Sequence, residues 1–520
     1  MIVGDIIERN ERLYPDETAI VFENRRLTYR SYAERARRLA NALADFGLRR
    51  QDRVAILSQN RSEYLEVYGA CELAGFIAAP INYRLAPPEI AHILRDCEPS
   101  AVVFEARYGD TIAALRDAVP ENVPFICVGP SPAWAHDYEA LLAAADGSGL
   151  PFRARDQEIV YLMYTSGTTG RPKGVMLHQD GQARTARLVA GEGGIERADR
   201  FLLTMPLYHV GGKCLQLGHM WRGGAVFIHS AFDPDHAHAT IEAEGITTTL
   251  MAPTMIRAFL DSPAHGAHDL SSLRTIFYAA SAMPGPLLRR AMAEFGPIFI
   301  QFYGSTETGP MGTALHKHQH VLDGSPEQTR RLASAGQPSP TCEVRIVGDD
   351  GADCAAGEPG EILIRNPSVM RGYWNKSVQT LETLREGWVH TGDIGTFDEE
   401  GFVFLVDRKN DMIISGGENI YPREVEEALY QHPAVAEAAV IGIPDDRWGE
   451  AVAAFVVLRS EATAEADELI EHCRALIAGY KKPKRIEFLG ELPKLPNGKV
   501  DKKQLRALFR ADRAAGEANR

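Results

Sequence analysis

The chain has 520 residues, 45% hydrophobic and 24% charged, a balance that belongs to folded globular proteins and excludes a disordered one. With 56 Lys and Arg against 70 Asp and Glu the net charge is −14, which excludes non-specific nucleic-acid binding and requires any polyanionic ligand to be met by a local basic cluster. The length is that of several domains, and no apolar run reaches the about 20 residues of a membrane-spanning helix.

At the N-terminus, MIVGDIIERN carries Asp5 and Glu8 where a secretory leader wants a basic end and an apolar run, so a cytoplasmic protein without an integral membrane segment is expected. Through the first 160 or so residues, helical spacing (LTYRSYAERARRLANALADFGL) alternates with buried-strand runs such as RVAILSQN, AVVFEA and PFICVGP. The alternation continues through IVYLMYT, AVFIHS, TTTLMAP and RTIFYAAS, which predicts mostly parallel α/β sheets with right-handed crossovers. Residues 316–340, rich in His, Asp, Ser, Pro, Arg and Gln, read as a mobile connection. Their His316, His318 and His320 read as solvated loop histidines rather than zinc ligands, because no Cys or carboxylate completes a ligand set.

From about residue 341 to 409 the texture changes to short strands and turns (CEVRIVGDDG, GEILIRN, GFVFLVDR), a small β-rich unit. Beyond it a new α+β pattern begins with VEEALYQHP and AEAAVIGIP. The predicted architecture is an α/β protein: a large N-terminal domain, residues 1–409, that includes the β-rich unit, then a small α+β domain, residues 410–520. The seven cysteines stand singly with no Cys-x-x-Cys pair, so neither a disulfide framework nor a zinc knuckle is expected.

Six short stretches carry candidate chemistry. YTSGTTGRPKGV, residues 164–175, joins glycines and hydroxyls to Lys173 after a predicted strand, a composition suited to phosphate yet lacking the Gly-Lys-Ser/Thr ending of a P-loop. PLYHVGG, residues 206–212, sets His209 at another strand end; a core imidazole is the alternative reading. QFYGSTETG, residues 301–309, offers a ring for a base and a carboxylate, Glu307, for a metal, or is simply a turn. EGWVHTGDIG, residues 386–395, presents Asp393, which either caps a turn or holds a ribose diol. VDRKNDMIISGGENIYPREVE, residues 406–426, places a charged turn before a double glycine, and PKLPNGKVDKKQLR, residues 493–506, carries Lys499 beyond a Pro-Asn-Gly turn.

Together and in this order, the six stretches resemble the adenylate-forming enzymes, the family of acyl-CoA synthetases, peptide-synthetase adenylation domains and luciferase, over essentially the whole chain. DMIISGGENIYP and DDRWGE are most similar to bacterial acyl- and aryl-CoA ligases. The resemblance implies that Thr165, Ser166, Gly167, Thr168, Thr169, Gly170 and Lys173 surround the ATP phosphates, and that Glu307 with Thr165 holds Mg²⁺. It further implies adenine stacked on Tyr303 within Ala280, Ser281, Gly304, Ser305 and Thr306, the ribose held by Asp393 and Arg408, and Lys499 bridging substrate carboxylate and α-phosphate. The C-terminal domain is then mobile about a hinge at Asn410, where Asp or Lys is more usual in the family. Coenzyme A is implied as the thiol substrate, met by Arg84, Gly416, Gly417, Trp448, Tyr480, Lys482 and Lys484, the last three within the basic stretch GYKKPKR.

The implied acyl pocket comprises His209, Val210, Gly211, Ala279, Ala280, Gly304, Gly309 and Pro310, small residues that predict room for a bulky aryl or medium- to long-chain aliphatic monocarboxylic acid. Lys213 would add a cation if its helix turned inward. An acyl-AMP ligase delivering to a carrier protein, a luciferase-like oxygenase and a non-catalytic adenylate-binding protein remain as alternatives, and a homodimer stays open.

Overall fold

The computed structural model describes residues 1–165, 172–281, 283–408, 411–415, 418–445, 449–460, 462–495 and 499–509. Among them the strands form four sheets, of seven, nine, five and five strands. The seven-stranded sheet runs in the order His136–Asp137, Phe125–Val128, Ala101–Glu105, Arg53–Leu57, Ile77–Pro80, Ile159–Thr165, Lys173–His178. Its pairings are parallel until the last, where Ile159–Thr165 turns back on Lys173–His178 as an antiparallel hairpin with Thr165 opposite Lys173.

The nine-stranded sheet has a parallel centre (Phe299–Tyr303, Thr275–Tyr278, Thr248–Met251, Arg200–Leu203, Ala225–Ile228, Thr18–Phe22) and antiparallel edges. These central strands are near-continuous apolar runs because helices cover them on both faces. One core cluster joins the two sheets, with Val54, Val103 and Tyr161 from one and Ile20, Phe201, Leu203 and Ile300 from the other. Helix Ser62–Ala74 lies wholly inside it, and its acids are matched by cations and phenols: Glu63 by Arg25 and Arg61, Glu66 by Arg35 and Tyr138, Glu72 by Lys213 and Tyr161.

The β-rich unit appears as predicted from sequence: Glu343–Val347, Gly360–Arg365, Trp388–Phe397 and Val403–Arg408 pair antiparallel in that order. In the last sheet, Val435–Asp445 and Gly449–Leu458 form its longest pairing, helices Pro422–Tyr430 and Ala466–Leu476 share its core, and Arg485–Phe488 joins in parallel. No helix among the described residues is long and apolar enough to cross a membrane.

Residues 316–340 depart from expectation. They hold a 3-10 turn Lys317–Gln319, a helix Pro326–Arg330 capped by Ser325, and a strand Gln337–Pro338 on the nine-stranded sheet, so the stretch is built into the fold. His320 is buried and hydrogen-bonded to Tyr278 at 3.0 Å, while His316 pairs with Glu192 at 3.5 Å. A polar composition hid these local caps and pairings. The cysteines are free, all but Cys354 buried.

Candidate active site

The candidate residues gather at the C-terminal ends of parallel strands in the two large sheets, where open α/β sheets present their loops. Thr165 closes Ile159–Thr165, Tyr303 closes Phe299–Tyr303, Ala279 to Ser281 follow Thr275–Tyr278, and His209 stands six residues beyond Arg200–Leu203. Of the phosphate loop, Ser166, Gly167, Thr168, Thr169 and Gly170 lie outside the described residues, as do Asn410, Gly416, Gly417 and Trp448; Arg408 is described in its backbone alone.

The adenine-ribose candidates meet. The Tyr303 hydroxyl donates to Asp393 Oδ2 at 2.9 Å, and Asp393 sits opposite Arg408 on adjacent antiparallel strands. The Asp393 amide is turned by Thr391, whose hydroxyl accepts it at 3.1 Å and donates to Ile362 O at 2.7 Å.

The turn after Tyr303 is shaped by backbone packing. Thr308 Oγ1 accepts from Ser305 N at 2.9 Å, and Asn366 Nδ2 donates to the carbonyls of Thr308 and Met311, both at 2.9 Å. A Cβ on Gly304 would lie 1.9 Å from Pro310 O, and one on Gly309, at φ +80°, 2.1 Å from Ser368 O. These two glycines therefore serve the close approach of backbone to backbone. At Gly211, by contrast, a Cβ would have its nearest contact at 3.9 Å, with Leu250, so there the small residue does leave room. Ala280 takes a left-handed φ of +75°, an uncommon conformation for a residue with a Cβ, on an exposed stretch with Ser281.

Glu307 is half-buried and accepts a 2.9 Å hydrogen bond from Tyr373 through Oε1. Lys173 lies over the same ring, Nζ 5.1 Å from its centroid. Thus the Thr165–Lys173 end of the hairpin and the Glu307 turn share one aromatic neighbour. Among the described residues no group of three or more His, Cys, Asp or Glu comes together, so a cation here would be completed by phosphate oxygens and water around one carboxylate, a donor set that suits Mg²⁺.

His209 occupies the N-cap position of helix Val210–Arg222, with no capping bond from its side chain. The segment before it is pinned on both sides: Tyr68 donates to Leu207 O at 2.7 Å and Asn60 Oδ1 accepts from Leu207 N at 2.8 Å. Burial first, then the Lys499 ammonium and the Arg84 guanidinium, push the His209 imidazole down to about 3, so it is neutral near pH 7. This brings Lys499 of the small unit and Arg84 of the seven-stranded sheet's margin into the field of one histidine. Around Lys499, Lys494 and Val500 form an antiparallel bridge, and the Lys499 carbonyl accepts from Leu495 N at 2.7 Å.

Lys213 does not reach the acyl candidates. It is fully buried and committed elsewhere, 2.7 Å from Glu72 and 2.6 Å from Gln216 Oε1, with Nζ 4.5 Å from the Tyr68 ring centroid. Within the basic stretch, Lys481 pairs with Glu424 at 2.7 Å, Lys484 with Asp445 at 3.7 Å and Arg485 with Glu487, while Tyr480 is exposed. Three of the cations are thus already answered by carboxylates of the same unit. Among the described residues, Lys482 has no ion-pair partner.

Tyr373, Asn60 and Tyr68 were invisible to motif reasoning. Their chemistry is contact across distant segments, and the one sequence cue for Tyr373 is an aromatic directly after a glycine, Gly372, whose φ is +128°.

The family model "AMP-binding enzyme" matches residues 7–374 and "AMP-binding enzyme C-terminal domain" matches residues 424–499. Feruloyl-CoA synthase of Amycolatopsis sp is 39% identical over 504 residues, covering 96% of this chain and 98% of that protein. Indoleacetate–CoA ligase of Aromatoleum aromaticum is 40% identical over 514 residues, covering 98% of each. Among solved structures, o-succinylbenzoate CoA synthetase of Bacillus subtilis, in complex with its acyl-adenylate intermediate, superposes with a TM-score of 0.85 at 31% identity, covering 96% of this chain and 97% of that one.

Proposed function

The chain belongs to the family of AMP-binding, adenylate-forming enzymes, and from that premise we propose that it joins a bulky monocarboxylic acid to coenzyme A through an acyl-adenylate. In the first half-reaction a carboxylate oxygen of the acid bonds to the α-phosphorus of ATP, and the bond from that phosphorus to the pyrophosphate oxygen breaks. In the second the coenzyme A sulfur bonds to the acyl carbon and AMP departs. Two contacts support the reading: Lys173 and Glu307 share the Tyr373 ring, and Tyr303, four residues before Glu307, donates to Asp393 of the β-rich unit.

The work asked of these groups is electrostatic, since charge spreads over phosphoryl oxygens in the transition state. Lys173, fixed on a strand, suits the outer phosphates. Lys499 suits the point where carboxylate and α-phosphate, two anions, must approach. Glu307 and Thr165 are the residues that would hold Mg²⁺, which supplies charge neutralisation at the phosphates when bound. A neutral His209 adds no cation to compete with Lys499 for the incoming carboxylate.

The division near residue 409 lets the small unit rotate between half-reactions about Asn410, withdrawing Lys499 and presenting Gly416 and Gly417 to the pantetheine arm. Contacts across the junction include hydrogen bonds that water can replace, such as Arg423 Nη1 to Leu405 O at 3.0 Å and Arg257 to Ala436 O. Arg84, Trp448, Tyr480, Lys482 and Lys484 are the coenzyme A candidates, with Lys482 foremost because its neighbours are paired. For the acid we favour an aryl monocarboxylate. The acyl candidates include no cation, Lys213 being committed to Glu72, and the feruloyl and indoleacetate ligases named above are relatives over nearly the full chain.

Acid-dependent exchange of labelled pyrophosphate into ATP, run without coenzyme A, tests the adenylate step. Aryl acids should support exchange and Lys499→Ala should reduce it on the order of 100-fold or more; exchange that Lys499→Ala leaves intact would withdraw the role given to that lysine.

A further inference from the structure

We propose that Tyr373 is a positioning residue for Glu307, fixing which carboxylate oxygen is turned to the metal, an inference that rests on the Mg²⁺ role proposed for Glu307. The Tyr373 hydroxyl donates to Oε1 at 2.9 Å, and no other group among the described residues donates to Oε2. One lone-pair face of the carboxylate is thereby used, and the other is left for a cation.

The segment that delivers Tyr373 is itself tied to both halves of the phosphate site. Residues 371–374 run antiparallel to the strand that begins at Lys173: Trp374 N donates to Gly174 O at 2.8 Å, Met176 N to Gly372 O at 3.0 Å, and Arg371 N to Met176 O at 2.9 Å. On the other side Met370 N donates to Glu307 O at 2.9 Å, so the backbone of Glu307 is held by the same segment as its side chain. Tyr373 N donates in turn to Thr380 Oγ1 at 2.9 Å. Farther along, Trp374 Nε1 donates to Asp96 O at 3.1 Å and Lys376 pairs with Asp96 at 2.8 Å; Asp96 also accepts from the Tyr164 hydroxyl at 2.9 Å, next to Thr165.

A half-buried carboxylate on a turn has two soft torsions, and a ligand that must meet one cation in one direction benefits when they are locked. The ring does a second job. Its face carries Lys173 at 5.1 Å, so a single aromatic plane sets the separation between the cation that meets phosphate and the carboxylate that meets metal. Tyr373→Phe removes the hydroxyl alone, keeping the ring, its packing and the contact with Lys173.

The test measures ATP affinity by titration calorimetry, with Mn²⁺ and again with the metal chelated, for the parent, Tyr373→Phe, Glu307→Gln and the double variant. The proposal predicts that Tyr373→Phe cuts the metal-dependent gain in affinity by about 10- to 100-fold, the range for outer-shell partners of metal ligands, and leaves metal-free ATP affinity unchanged. In the Glu307→Gln background it should change nothing further, because the group it orients has lost its charge. A Tyr373→Phe protein that keeps the full gain, while Glu307→Gln loses it, overturns the positioning role alone. A gain that survives Glu307→Gln overturns the metal role of Glu307 and this inference with it.

Discussion

The hydroxyl of Tyr303 donates a 2.9 Å hydrogen bond to Oδ2 of Asp393, joining the last residue of a parallel strand in the nine-stranded sheet to a residue inside strand Trp388–Phe397 of the β-rich unit. Ninety positions apart in the chain, the two make the ring proposed to stack on adenine and the carboxylate proposed to hold ribose a single rigid element. This bond orients the ring without using its face.

Asp393→Ala should therefore weaken AMP binding more than Tyr303→Phe does. The first removes both the ribose acceptor and the anchor of the ring, on the order of 100-fold in affinity; the second removes one hydrogen bond to a charged group, about tenfold. Calorimetric titration with AMP checks the order, and equal losses would show that Asp393 does not contact the nucleotide.

Lys213 and Glu72 form an ion pair with both side chains only 1% exposed. Breaking such a pair by removing one partner leaves a charge in the core and costs about 3–5 kcal/mol, whereas replacing both by apolar groups is often close to neutral. Lys213→Met should lower the melting temperature clearly, and adding Glu72→Leu should recover much of it. Because Tyr68 touches Lys213 and also pins the segment before His209, the single variant should raise the KM for the acid as well.

Stability should fall on mild acidification. Burial is the leading cause holding His178, His219, His229 and His320 down to about 4, and His209 to about 3. Between about pH 4 and 6.5 the unfolded chain binds protons that the folded one refuses, so stability rises with pH through that window and is fully present above it. Melting curves from pH 7.5 down to 5 should show a progressive drop. His219→Gln should flatten it, with the proviso that His219 also bonds Leu215 O at 2.7 Å and Thr248 at 2.8 Å, so its melting temperature at pH 7.5 falls too. A flat profile in the parent would contradict these assignments.

Lys482→Glu should raise the KM for coenzyme A severalfold and leave pyrophosphate release unchanged, because Lys481, Lys484 and Arg485 are occupied by Glu424, Asp445 and Glu487. A KM equal to the parent's removes Lys482 from the coenzyme A site.

Much of this was legible in the sequence because apolar runs with turn punctuation report parallel strands directly: IVYLMYT, RTIFYAAS and AVFIHS each contain an observed strand. What stayed hidden was side-chain direction and contact between distant segments. Lys213 lies four residues from His209, yet its place on the helix aims it at Glu72, and no pattern of spacing announces a partner on another helix. Gly304 and Gly309 suggested an open pocket, while the backbone of Pro310 and Ser368 explains them. Residues 316–340 read as a loose connection because their order rests on a 3-10 turn, a five-residue helix capped by Ser325 and a two-residue strand, below the length at which periodicity speaks.

The most direct measurement follows products by mass spectrometry after mixing the protein with ATP, Mg²⁺ and a panel of aryl and aliphatic acids, with and without coenzyme A. A ligase acting through an acyl-adenylate gives AMP together with the thioester of an aryl acid when coenzyme A is present, and acyl-adenylate alone when it is absent. Adenylate that accumulates unchanged in the presence of coenzyme A would contradict the thioester-forming step, and an absence of both products across the panel would contradict the ligase itself.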